Sequence, residues 1–232
     1  MLPRLTIVSP CYNEEATLPH SANALSTFLE RMISLGKVTP ESRILFVDDG
    51  SQDQTWPIIK ELHRPCPYVD GLSLAGNVGS ELAIMSGMMQ VREYSDAVVT
   101  IDSDLQDDLD AVEEMLDRFS EGYDIVYGVK VSRTADPFLK RTTAQAFYRL
   151  QQAMGIRMIY NHTNFRLMSR RALEALALYP ERNLYLRGII PQLGFPSTTV
   201  DDVIREREAG TSKYNYRKLL LLAVDGITSF ST

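Results

Sequence analysis

The sequence predicts an α/β fold: a mostly parallel central sheet covered by helices on both faces, with an amphipathic helix at the C-terminal end. Three observations predict it. Short apolar, β-prone runs recur at 5–9, 43–47, 97–101 and 124–127. Stretches of helical length and pattern fill the gaps between them, which is βαβ spacing and implies a parallel sheet with right-handed crossovers. Polar residues gather where the runs end, and ligands of open α/β sheets bind outside the carboxyl ends of the strands.

The run 5–9 reads as a buried strand. It ends at Pro10-Cys11-Tyr12-Asn13-Glu14-Glu15, a turn that opens a helix reaching about residue 35. Residues 43–47 form a second strand, closed by Asp48-Asp49-Gly50-Ser51-Gln52-Asp53. Residues 56–63 are helical, with Pro57 in the first turn, where its missing N–H is no loss. A shorter third strand lies near 71–74, and Asn77-Val78-Gly79-Ser80 leads into a helix to about residue 92. The central strand, 97–101, stops at Asp102-Ser103-Asp104-Leu105-Gln106. Continued to 104, its period of two points Asp102 and Asp104 the same way, two oxygen ligands for a hard cation, with Gln106 extending the row. Asp107, Asp108 and Asp110 suit the positive end of a helix over about 110–120, and 124–127 make a fifth strand. With Asp49, Asp53 and the loop amides, this edge looks built for a nucleotide joined to a diphosphate, a cation offsetting the phosphate charge.

A chain of 232 residues, 44% hydrophobic, without a linker, repeat or low-complexity stretch, supports one domain with a C-terminal elaboration. Cys11 and Cys66 are too few for a disulfide framework and read as free thiols. No secretory leader and no membrane span is expected, since the apolar run 219–224 ends at Asp225. The net charge of −6 divides unevenly: residues 1–129 hold 8 Lys/Arg against 22 Asp/Glu, and residues 130–232 hold 16 against 8. An acidic half suits a metal and a basic half suits phosphates or an anionic surface. Nucleic acid is excluded as a partner, because the aromatics form no base-stacking module and the acidic half would repel the backbone.

Val8-Ser9-Pro10-Cys11-Tyr12-Asn13-Glu14, Val47-Asp48-Asp49-Gly50-Ser51-Gln52-Asp53-Gln54-Thr55 and Asp102-Ser103-Asp104-Leu105-Gln106-Asp107 resemble the inverting, GT-A fold glycosyltransferases of family 2. Gly122-Tyr123-Asp124-Ile125-Val126-Tyr127-Gly128, Asn164-Phe165-Arg166-Leu167-Met168 and Ala209-Gly210-Thr211-Ser212-Lys213-Tyr214 narrow the resemblance to the polyprenyl-phosphate branch, which includes dolichol-phosphate mannose synthase and bactoprenol glucosyltransferases. The resemblance covers nearly the whole chain. It implies a GT-A domain over 1–213, with a nucleotide-sugar half at 1–129 and an acceptor half at 130–213, and a juxtamembrane amphipathic helix at 214–232. It implies that Pro10, Tyr12, Glu14 and Asp49 hold the base and ribose, and that Asp102, Ser103, Asp104 and Gln106 handle ribose, diphosphate and metal. Asp104 and Gln106 would be direct ligands of Mg²⁺ or Mn²⁺, with Asp102 close behind. Lys130, Arg133 and Arg141 fall where the family keeps cations near the phosphates, and Arg205, Arg207 and Lys213 cluster with Ser212 at a Gly-Thr-Ser turn. Asp104, Arg133, Arg207 and Lys213 are the residues expected to carry catalysis.

The activity implied is metal-dependent, inverting transfer from a UDP- or GDP-linked sugar to a polyprenyl phosphate, at the cytoplasmic face of a membrane. Two departures from the family stand out. Asn164 replaces a common Asp, so no carboxylate there serves as general base, and Asp107-Asp108-Leu109-Asp110 stands where relatives often carry paired prolines. Relatives continue into membrane-spanning helices, so this sequence is expected to be part of a longer protein. Two alternatives stay open: a family 2 transferase acting on a hydroxyl, for which Asp201 and Asp202 are the remaining candidate bases, and a non-catalytic nucleotide-sugar-binding membrane scaffold. A sugar-1-phosphate nucleotidyltransferase would need a glycine-rich basic loop after the first strand, which is missing.

Overall fold

The computed structural model describes residues 1–64, 66–131, 162–179 and 186–203. In chain order the elements are β1 (Leu5–Cys11), α1 (Leu18–Ser34), β2 (Arg43–Asp48), α2 (Thr55–His63), β3 (Val69–Ser73), α3 (Ser80–Val91), β4 (Ala97–Thr100), α4 (Leu109–Ser120) and β5 (Ile125–Val131). After them come β6 (His162–Ser169), α5 (Arg170–Leu176), α6 (Leu186–Ile189), a 3₁₀ turn (Ile190–Leu193) and β7 (Ser197–Val203). They form a seven-stranded sheet in the order β3-β2-β1-β4-β6-β5-β7. All pairings are parallel except those of β6, which runs antiparallel to both β4 and β5. The mostly parallel sheet is as expected; the antiparallel insertion and β7 were not foreseen.

Each strand's period of two sorts its side chains into two cores. Leu5, Ile7, Ile44, Phe46 and Val99 pack with α1, α2 and α4, while Val8, Leu45, Val47 and Val98 pack with α3, α5 and α6. In α1 the buried residues Leu18, Ala22, Leu25, Leu29 and Met32 make one stripe at helical spacing, and Pro19 sits in the first turn. At the start of β5, Asp124 accepts 2.7 Å from Ser169 Oγ and pairs with Arg171, which fastens β5 to the end of β6. Cys11 is buried and Cys66 half-buried, and both are free thiols.

The Arg171 guanidinium, with the Ser169 hydroxyl, holds the Asp124 carboxyl below the usual carboxylate range despite burial. A depressed folded-state pKa contributes stability above the unfolded value and loses it as pH falls through the folded one. Arg171→Ala is therefore expected to melt below wild type at pH 7, with the gap closing as pH falls below about 4. A gap that stays constant in a thermal melt series down to pH 2 would contradict this.

Candidate active site

The chain runs β1 to β2 to β3 on one side of the sheet, then crosses to β4 on the other side of β1. This reversal opens a crevice at the carboxyl ends of β1 and β4, the place where doubly wound sheets bind ligands. The loops that follow β1, β2 and β4 meet there, as the sequence reading expected.

The first two loops hold each other. The Asn13 N–H donates to Ser51 Oγ at 3.0 Å, the Gln52 N–H to Asn13 Oδ1 at 2.8 Å, and the Glu14 N–H to Thr55 Oγ1 at 2.8 Å. Asn13 pays for this with a left-handed backbone, φ 52°, which Asn tolerates better than most residues. Pro10, Tyr12 and Glu14 are all half-buried along this rim. Asp53 accepts from the Thr55 N–H at 2.9 Å, the Thr55 hydroxyl at 2.6 Å and the Glu15 N–H at 3.2 Å. Burial opposes its charge, but these donors outweigh it and hold the carboxyl below its ordinary value. Asp53 therefore braces the loops.

Asp49 is buried, and its two oxygens take the Val78 N–H at 2.7 Å and the Gly79 N–H at 3.0 Å. It anchors the segment leading into α3. Gly50 allows the close approach: its φ is 68°, and a Cβ would lie 2.5 Å from the Gly76 carbonyl carbon.

The loop after β4 departs from the strand geometry expected for it. β4 ends at Thr100, and residues 101–108 turn, with the Leu105 N–H on the Asp102 carbonyl at 3.2 Å and Leu105 at φ 51°. A turn, not a strand period of two, links Asp102 to Asp104. Ser103 is buried, its carbonyl accepting from Ser21 Oγ of α1, and Asp104 Oδ1 accepts from the Gln106 N–H at 3.3 Å. Asp108 caps α4 as foreseen, accepting from the Asp110 N–H at 3.2 Å. Asp107 instead lies buried beneath the loop, taking the Asp102 N–H at 3.3 Å and Lys130 Nζ at 3.5 Å. Burial, with Asp102's charge adding to it, pushes the Asp107 carboxyl up to about 8, while Lys130 draws it down. Lys130, expected at a phosphate, places its Nζ against the Asp107 carboxyl.

Asp201 and Asp202 lie on the edge strand β7. Asp202 is fully buried and accepts from the Asp108 N–H at 3.0 Å, and Asp201 is exposed. Arg133, Arg141, Arg205, Arg207, Ser212 and Lys213, and the helix expected at 214–232, lie outside the described residues. Among the described residues no helix is long and apolar enough to cross a membrane.

The donor set suits a hard divalent cation. Asp102, Asp104 and Gln106 offer oxygen alone, and among the described residues no three His, Cys, Asp or Glu side chains converge into a closed cage. Oxygen donors of this kind are the ones Mg²⁺ or Mn²⁺ takes.

Sequence reasoning missed a second cluster beside this loop. Asn164, on β6, donates from Nδ2 to Glu81 Oε1 at 3.1 Å, and its Oδ1 receives Arg166 Nη2 at 3.0 Å and Arg187 Nε at 3.5 Å. Glu81 Oε2 takes the Leu186 N–H at 3.0 Å. Glu81 in the first turn after a strand-end loop was the available signal; Arg187 lay in a stretch with no strand pattern to place it.

Residues 6–177 match the profile of glycosyl transferase family 2. The chain belongs to that family. This glycosyltransferase is 47% identical over 229 residues to the glycosyltransferase YkoT of Bacillus subtilis (strain 168), covering 99% of this chain and 68% of that one. It is 38% identical over 231 residues to the bactoprenol glucosyl transferase of Shigella phage SfV, covering 99% and 72%. In fold it is similar to glucosyl-3-phosphoglycerate synthase from Mycobacterium tuberculosis, solved with Mn²⁺, UDP and glucosyl-3-phosphoglycerate, at TM-score 0.65 and 17% identity over 98% of this chain and 78% of that one. A mannosyltransferase from Pyrobaculum calidifontis, solved with GDP-Man and Mn²⁺, aligns at TM-score 0.63 and 16% identity over 100% and 66%. The enzyme is thus a family 2 glycosyltransferase with a GT-A-like fold.

Proposed function

We propose that this glycosyltransferase moves a sugar from a UDP- or GDP-linked donor to the phosphate of a polyprenyl lipid by one in-line displacement that inverts the anomeric carbon. The observation that carries the reading is the 38% identity, over 99% of the chain, to a protein named for glucosyl transfer to bactoprenol. In the step, an oxygen of the lipid phosphate forms the new bond to the anomeric carbon. The bond from that carbon to the nucleoside diphosphate breaks, and its electron pair leaves with the diphosphate.

Asp104 and Gln106, with Asp102 behind them, hold Mg²⁺ or Mn²⁺, which supplies Lewis-acid stabilisation to the departing diphosphate when bound. Pro10, Tyr12, Glu14, Asp49 and Ser103 shape the donor crevice. A lipid phosphate is already ionised at neutral pH, so the nucleophile needs no strong base; cations must position it and balance charge. An amide at 164 agrees with that. A hydroxyl acceptor would need a carboxylate base, and Asp202 is fully buried under the loop. Arg133, Arg141, Arg205, Arg207, Ser212 and Lys213 remain part of the proposal as acceptor-side groups, and 214–232 as a helix on the cytoplasmic face of the membrane, in a half of the chain whose charge is basic.

The donor and metal parts are tested by a thermal-shift screen of nucleotide sugars with and without Mn²⁺, since a ligand that binds the folded state alone raises its stability. One nucleotide sugar is expected to raise the melting temperature, and to do so more with Mn²⁺. Equal shifts with and without the metal would contradict the metal site, and a product retaining the donor's anomeric configuration by NMR would contradict the single displacement.

A further inference from the structure

The Asn164 amide has one orientation consistent with its partners: two guanidinium groups need its oxygen and the Glu81 carboxylate needs its NH₂. Through it, β6, the first turn of α3 and the start of α6 are tied at one side chain. Its place is set by register. β6 pairs antiparallel with β4, Arg166 lying opposite Thr100, so Asn164 falls just past the end of β4, alongside the start of the Asp102–Gln106 loop. The Thr100 hydroxyl donates to the Asn164 carbonyl and secures that placement.

The two arginines are used differently. Arg166 is 2% exposed and also donates to the Thr163 carbonyl at 2.9 Å, which marks it as part of the framework. Arg187 is half-buried and fastened through Nε, and among the described residues its terminal amino groups have no hydrogen-bond partner. A guanidinium held by Nε keeps its two amino groups available as a fork for the oxygens of a phosphate.

The two sides of the sheet edge are also distinct. The metal loop is held from the α1 and α4 face, through Ser21 on the Ser103 carbonyl and Asp108 capping α4. Arg187 is carried by α6, whose neighbours Leu186 and Ile189 belong to the opposite core. An in-line displacement brings the nucleophile in opposite the leaving group, so its counter-charge must lie apart from the cation that serves the diphosphate.

We propose that Arg187 binds the phosphate of the acceptor, aimed by Asn164 and, through it, Glu81. The inference rests on the phosphate-acceptor reading above, which names acceptor-side cations only in later or undescribed segments. The test is calorimetric titration of a C15 polyprenyl monophosphate into the full chain, with Mn²⁺ and whichever of UDP or GDP raises its melting temperature. Wild type is compared with Arg187→Ala and Arg187→Lys. A charge-assisted contact of this kind corresponds to about a 10- to 100-fold loss of lipid-phosphate affinity in Arg187→Ala, with nucleotide affinity held within about twofold. Arg187→Lys keeps the charge without the fork and falls between the two. Unchanged lipid-phosphate affinity in both variants, or an equal loss of nucleotide affinity, would overturn the assignment. A wild-type protein that binds the C15 alcohol as tightly as the monophosphate would instead defeat the phosphate-acceptor reading itself.

Discussion

Asp104→Asn lowers sugar transfer by about two to three orders of magnitude while leaving the melting temperature near that of wild type. The size follows from what the carboxylate is for: removing one preorganised electrostatic contact to charge that develops in a transition state costs roughly 10²–10³ in rate. The sparing of the fold follows from where it sits. Asp104 is half-buried in a loop outside both hydrophobic cores, and the amide keeps an Oδ1 that accepts the Gln106 N–H. Charge at the metal is removed and the turn is retained. Turnover close to wild type at saturating Mn²⁺ would remove Asp104 from the metal site.

Gly87→Val is expected to have the largest effect on stability. Gly87 lies on α3 against the sheet, where a Cβ would fall 2.5 Å from Val8 Cγ1 and 2.8 Å from Val47 Cγ2. Both valines are 0% exposed and belong to the central strands, so neither has room to yield. Overpacking of this kind costs roughly 2–3 kcal/mol, a fall of about 4–12 °C in melting temperature for a chain of this size. Moving α3 off the sheet also moves Glu81 and the segment that Asp49 anchors, so donor affinity falls with stability. A variant that melts with wild type would show that α3 does not pack this tightly.

The sequence made β1, β2, β4 and β5 legible because each is a short apolar run that stops at a polar loop. It made the edge of the crevice legible because Tyr12, Asp49, Asp102 and Asp104 stand at successive strand ends. It hid β6. That strand carries Asn164 and Arg166 on one face and Phe165 and Leu167 on the other, and a fully buried arginine breaks the apolar pattern that announces a central strand. Its insertion between β4 and β5 also runs against the tendency of consecutive strands to lie side by side.

The same gap hid the Glu81, Asn164 and Arg187 cluster, whose members are far apart in sequence and meet through β6. Asp102 and Asp104 were grouped by a geometry the chain does not adopt. A strand period was invoked where the backbone in fact turns at Leu105. Lys130 looked like a free cation because nothing in the sequence marks Asp107 as buried beside it.

The proposed nucleophile is a lipid phosphate. The most direct measurement is transfer of radiolabelled sugar, with the donor found by thermal shift and with Mn²⁺, to a polyprenyl phosphate and to the matching polyprenol in parallel. A labelled lipid product is expected from the phosphate and none above background from the alcohol. Product from the alcohol at a comparable rate would contradict it.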